Sequence, residues 1–160
     1  MNLTDLPFNI ETIDQTMTLQ PGPSQRRTRA AAAWYDAARG DRPTVAKAAL
    51  DPKAIKAFID QLWLVERRDD GCMYMRLVSS SVYDLTGEEM TGLYIDPDKK
   101  YGKWVAIYEK AQGHQAPLTL HNRISEHDKD YLTSEVIVLP LHDAQDRIRY
   151  CLCVYDILAL

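Results

Sequence analysis

The chain has 160 residues, 46% of them hydrophobic and 26% charged, with a formal net charge of −4 and a pI near 5.5. That length suits one domain with a sizeable core, and the composition is ordinary for a folded soluble protein. The acidic balance argues against a nucleic-acid or anionic-membrane surface, and three cysteines form no even disulfide framework, which points to a reduced, cytoplasmic setting. Met1-Asn-Leu-Thr-Asp-Leu-Pro-Phe8 lacks the basic and apolar blocks of a secretory signal. Nor does any apolar run reach the ~18 residues that a membrane span needs.

Residues 1–23 hold no period of 2 or 3.6 and end in Pro21-Gly-Pro23, a strong break. They read as an arm, extended or disordered when free, able to lie across an apolar surface. Ser24 is placed to cap the helix that follows, in which Ala31, Trp34, Tyr35 and Ala38 form one stripe and Gly40 is the stop. Arg26, Arg27 and Arg29 open this helix, where positive charge opposes the helix dipole; solvated surface is their default reading, an acidic partner the sharper one. The aromatic stripe needs something to bury against, so Ala31, Trp34, Tyr35 and Ala38 are the candidate homodimer interface.

A second helix is expected from Asp51-Pro52, an N-cap with proline at the first helical position, through Ile55, Phe58, Ile59 and Leu62. It runs into Leu62-Trp-Leu-Val65, a short continuous apolar stretch and hence a candidate central strand. Asp70-Gly71 then turns the chain into Met73-Tyr-Met-Arg-Leu-Val78, where alternation puts Met73, Met75 and Leu77 on one face. A short helix follows, Val82–Thr86, capped by Ser79–Ser81 and stopped at Gly87, and then one more turn, Glu88–Gly92, also closed by glycine. A longer helix from Lys99 to Gln112 carries a stripe of Tyr101, Trp104, Val105 and Tyr108. Leu118–Ile124 reads as a strand, and Ser125–Asp130 as a polar turn.

The last third dominates the pattern. Tyr131–Leu141 and Arg147–Ile157, rich in Val, Ile, Leu and Tyr, flank the polar link His142-Asp-Ala-Gln-Asp146 and read as an antiparallel hairpin. Val136–Leu139 and Tyr150–Tyr155 hardly alternate in polarity, so both faces of this hairpin are expected to be covered and its place is the middle of a sheet.

The resulting order, two N-terminal helices and then β-β-α-α-α-β-β-β, resembles the PAS sensor fold over roughly Gln61 to Leu158. Leu62-Trp-Leu-Val-Glu-Arg67, Met75-Arg-Leu-Val78 and Leu85-Thr-Gly-Glu-Glu-Met-Thr-Gly92 are similar to a group of short bacterial single-PAS proteins. So are Trp34-Tyr-Asp-Ala-Ala-Arg-Gly40 and Leu50-Asp-Pro52 upstream. The resemblance implies an α+β fold: five antiparallel strands in the order 2-1-5-4-3, helices on one face, and the N-terminal helices flanking. The division is then an arm (1–23), a helical extension (24–60) and a PAS-like domain (61–160). It further implies a non-catalytic cytoplasmic sensor or adaptor that binds a small ligand or a protein partner. Since the chain stops at Leu160, just past the last strand, signalling is expected in trans, with a homodimer as the working form and with no nucleic acid or membrane involved.

By the same geometry Met75, Leu77, Tyr83, Trp104, Tyr108, Leu120 and Asn122 could converge on a ligand pocket between sheet and helices. Packing of these residues against one another is the default, because interiors leave few voids. Asn122 stands apart, since a buried unpaired amide costs roughly 1–3 kcal/mol. No catalytic or metal site is read, and no cofactor is named. Cys151-Leu-Cys153 shares one strand face, and neither Cys72 nor the four histidines add a zinc spacing. The short helix at Val82–Thr86 lacks the cysteine of covalent flavin photochemistry, and His114 sits at or beyond the end of the long helix, a poor place for a haem ligand. Two other readings stay open: a ketosteroid-isomerase-like α+β enzyme using Tyr83, Asp84 and Tyr108, which would need a raised carboxyl pKa, and a ligand-free interaction module with a filled core.

Overall fold

The computed structural model describes residues 12–14, 17–124 and 132–158, so the expected turn at Ser125–Asp130 lies outside the described residues. In chain order the elements are β1 (Thr12–Asp14), β2 (Met17–Gln20), α1 (Arg26–Arg39), β3 (Val45–Ala46), β4 (Leu62–Arg67) and β5 (Met73–Val78). They continue with α2 (Ser80–Thr86), α3 (Gly102–His114), β6 (Leu118–Ile124), β7 (Leu132–His142) and β8 (Ile148–Ile157). All the strands join one sheet in the order β1-β2-β6-β7-β8-β4-β5, with β3 added in parallel beside the end of β7.

Strands β5-β4-β8-β7-β6 reproduce the 2-1-5-4-3 order, and the β7–β8 hairpin lies in the interior of the sheet. The expected count of five is corrected, because the N-terminal arm continues the sheet. Met17 pairs with Asn122 and Leu19 with Leu120, so β2 satisfies the backbone edge of β6. Both of these apolar side chains are buried.

Alternation along the central strands sorts the side chains onto two faces, each with its own core. Trp63, Val65, Val136, Val138, Cys151, Cys153 and Tyr155 face α2 and α3 and pack with Val82, Trp104, Ile107 and Tyr108. Leu62, Leu64, Ile137, Leu139, Leu152 and Val154 point the other way, onto Ala31 and Tyr35 of α1, Val45, Ile55 and Phe58. Two covered faces explain why these strands show almost no polar positions.

The second expected helix is not one. Residues 52–60 form successive turns, with Phe58 N–H bonded to the Ile55 carbonyl and Gln61 N–H to that of Phe58. Such three-residue steps bring Ile55 and Phe58 to the same side just as helical spacing would, so the apolar period does not distinguish the two. Glu88–Met90 likewise forms no helix, and α3 starts three residues later than expected, after turns closed by Lys99 and Gly102 amides.

Helix α1 is capped from the sheet rather than by Ser24. Glu135 of β7 and Asp156 of β8 lie directly opposite each other in the ladder. The Glu135 carboxylate accepts the Ser24 and Gln25 amides, both at 2.9 Å, and the Ser24 and Thr28 hydroxyls at 2.8 and 2.5 Å. Asp156 accepts the Arg27 amide at 2.6 Å and the Thr28 amide at 3.2 Å. Two buried carboxylates thus satisfy the amides that a helix start leaves open, at the end where negative charge is favourable. The Arg27 guanidinium also meets Asp156, at 3.1 Å, so this arginine has its acidic partner within the chain.

Candidate functional site

Between the sheet and α2–α3 the packing leaves a cavity of about 150 Å³. Strand β4 sends in Trp63, β5 Met75, β6 Asn122, β7 Ser134 and Val136, and β8 Tyr155, all on the inner face. Val82 and Leu85 come from α2, and Trp104 and Tyr108, one turn apart, from α3. The remaining wall is the irregular segment between the helices. Its Gly92–Ile95 stretch hydrogen-bonds along the outer edge of β5: the Gly92 amide meets the Met75 carbonyl, and the Ile95 amide that of Met73. This holds Met90 and Ile95 against the cavity. Glu88 ties the rim to the start of α3, accepting from Lys100 at 3.2 Å and from the Tyr101 hydroxyl at 2.9 Å.

Aromatic side chains make up much of the wall. The Trp63 and Trp104 rings meet edge to face at 5.5 Å, Trp104 stacks on Tyr108 at 6.1 Å, and Tyr155 flanks Trp63 at 6.3 Å. The indole N–H of Trp63 donates to the Tyr108 hydroxyl at 2.9 Å in a buried bond that fixes both rings. Burial raises the Tyr108 phenol well above its ordinary pKa, with the neighbouring Cys153 adding to the shift, so the group stays neutral. Burial likewise raises Tyr155. No carboxylate lines the cavity among the described residues. Asn122 does line it, and its amide oxygen is buried without a hydrogen-bond partner among the described residues. Left so, that atom costs on the order of 1–3 kcal/mol, which a ligand donor would recover.

Four of the seven expected pocket residues, Met75, Trp104, Tyr108 and Asn122, come together here. Leu77 does not. A bulge sets Leu64 opposite Leu77 but Val65 opposite Met75, making Arg76 the extra residue and sending Leu77 to the other face, 51% exposed. Tyr83 is turned outward on α2, 48% exposed, because Val82 takes the inward position. Leu120 is fully buried in the same core but contributes no cavity wall. Trp63 and Tyr155 are additions that inner-face alternation with Val65 and Cys153 could have supplied. Met90 and Ile95 sit in irregular backbone and had no periodic signal.

Of the expected interface residues, Ala31 and Tyr35 are buried against the chain's own sheet, with the Tyr35 hydroxyl donating to the Pro140 carbonyl at 2.6 Å. Trp34 packs partly on Phe58 at 6.0 Å between centroids, and Ala38 is exposed. Ala31 and Tyr35 are thus covered within one chain, which corrects their place in the expected interface, while Trp34 and Ala38 keep exposed surface. Asp84 is exposed beside Tyr83, so neither residue of the isomerase-like reading reaches the cavity from α2. Cys151 and Cys153 are buried in the core, Cys72 is exposed in its turn, and His114 lies at the far end of α3. A second, larger concavity of about 390 Å³ lies between Pro21–Pro23, Asp36 and His114, but none of its polar atoms is buried without a partner among the described residues. Among those residues, no helix is long and apolar enough to cross a membrane.

No curated protein matches the chain. Solved structures similar to it include a light-oxygen-voltage domain described with a flavin analogue, at TM-score 0.47 and 17% identity over 69% of this chain and 88% of that one. The light-state structure of the blue-light photoreceptor Aureochrome1 LOV is similar at TM-score 0.44 and 15% identity, over 69% of this chain and 90% of that one. An RNA-binding light-oxygen-voltage receptor is similar at TM-score 0.45 and 15% identity, over 69% of this chain but only 35% of its own. The family model described as a PAS domain matches residues 24–155, a span that takes in α1, its Glu135 cap and the strands that line the cavity. The chain therefore belongs to the PAS domain family.

Proposed function

We propose that this protein is a PAS-type sensor whose cavity under α2 and α3 takes a small ligand, and whose output is passed to a protein partner without catalysis. The observation that carries the reading is the cavity of about 150 Å³ with an unpartnered amide oxygen on Asn122, in an interior where close packing is the rule. A sensor needs such a hollow, with walls that move when it fills. Here one wall is the irregular segment between α2 and α3, held to β5 by a few backbone bonds. Self-association through α1 has Trp34 and Ala38 to draw on, since Ala31 and Tyr35 are already covered.

Native mass spectrometry of the full chain, followed by thermal-shift measurements over a metabolite panel, tests the proposal. A co-purifying small molecule, or a compound that raises the melting temperature, is expected. A clean apo mass with no shift across the panel would leave an interaction module with a tolerated void.

A further inference from the structure

Resting on the reading of this cavity as a ligand site, we propose that its ligand class is a single aromatic ring carrying a hydroxyl group. Size comes first. A cavity of about 150 Å³ has the volume that accommodates one benzene ring. Shape and polarity come next. Trp63, Trp104 and Tyr155 offer ring faces and edges set at different angles, which favour offset or edge-on contact with another ring over an aliphatic chain. The polar requirement is local: Asn122 carries an amide oxygen with no partner among the described residues, and its β7 neighbour Ser134 directs its hydroxyl to the Asn122 backbone carbonyl at 3.4 Å. A ligand hydroxyl can donate to that amide oxygen or, after a half-turn of the amide, accept from its nitrogen. The described lining holds no carboxylate and three cationic side chains, Lys100, Lys103 and Arg123, which disfavour a cationic ligand and tolerate a hydroxyl that can ionise.

Phenol and toluene separate the terms, since they share ring and shape and differ in the hydroxyl alone. Calorimetric titration of the full chain is expected to show phenol binding at least tenfold tighter than toluene, about 1.4 kcal/mol. In Asn122→Leu the phenol affinity should fall to the toluene level while toluene binding is kept or improved. Equal affinity of the two for the unaltered protein would overturn the hydroxyl-bearing class and leave the cavity reading intact. No binding of either at millimolar concentration would overturn the aromatic class, and a thermal shift with another compound of the metabolite panel would then leave the cavity reading standing, its absence overturning that reading too. The comparison on the unaltered protein decides the matter even if Asn122→Leu folds poorly, and Asn122→Ala provides a second variant with the same expected loss of preference.

Discussion

Trp63 and Tyr108 depend on each other for a single buried hydrogen bond, and each is held by the rings around it. Tyr108→Phe keeps the ring and removes the acceptor, leaving an indole N–H with no partner away from water. A loss of about 1–3 kcal/mol is expected, read as a lower urea midpoint at unchanged slope. An unshifted midpoint would mean that Trp63 finds another acceptor. Glu135 makes a different prediction. Burial opposes its charge, but the bonds from Thr28, Ser24 and His121 outweigh that and hold its pKa at about 2 against an ordinary 4.5. A depressed carboxyl stabilises the fold above its unfolded value, and the gain, on the order of 3 kcal/mol, is lost as pH falls from about 4.5 toward 2. Glu135→Gln should therefore be less stable at pH 7 and show a flatter decline in urea midpoint over that acid range. Parallel pH profiles for the two proteins would contradict the assignment. Sequence made Asn122 legible, because alternation placed an amide among Leu118 and Leu120 on an inner face. It could not place Leu77, since a bulge adds one residue to a strand without any marker in residue type.

At the scale of elements, β4 to β8 were the most readable, because runs of Val, Ile, Leu and Tyr bounded by turn residues mark strands covered on both faces, whereas β1 and β2 carry no such run. Helix α1 was legible from its stripe and its glycine stop, but its start was not: the caps come from Glu135 and Asp156, more than a hundred residues along the chain. The segment from Gly87 to Tyr101 was the least readable, although it forms a wall of the site. Its order comes from bonds to β5 and from Gly102, where a side-chain carbon would run into the backbone of Pro97. Gly102→Ala must displace either that backbone or the first turn of α3, and with it Trp104. A cost of about 1–3 kcal/mol is expected by analogy with overpacked cores, together with altered tryptophan fluorescence. A variant with the parent's stability and spectrum would show that the Pro97 turn gives way freely.

For the molecule as a whole, the central sheet needs two lids, and the N-terminal segment supplies one of them. Residues 24–40 are therefore better described as part of the fold than as an extension resting beside it. Tyr35, Ala31 and the cap bonds lie over Ile137, Leu139, Leu152 and Val154, which would otherwise be open to water. Burial of a large apolar side chain contributes about 1.5–3 kcal/mol. Uncovering several at once removes an amount comparable to the ~5–15 kcal/mol that separates a native domain from its unfolded state. Removal of α1 also leaves Glu135 and Asp156 as buried carboxylates stripped of the amides and the arginine that offset their desolvation. Deletion of residues 1–40 is accordingly expected to abolish cooperative thermal unfolding, leaving a chain that aggregates or keeps secondary structure without fixed packing. Loss of the near-ultraviolet circular dichroism and a void-volume peak on gel filtration would register this. A truncated chain that melts sharply as a soluble monomer would show that the PAS sheet supports its outer face unaided, and α1 would then become free to act as a movable output element.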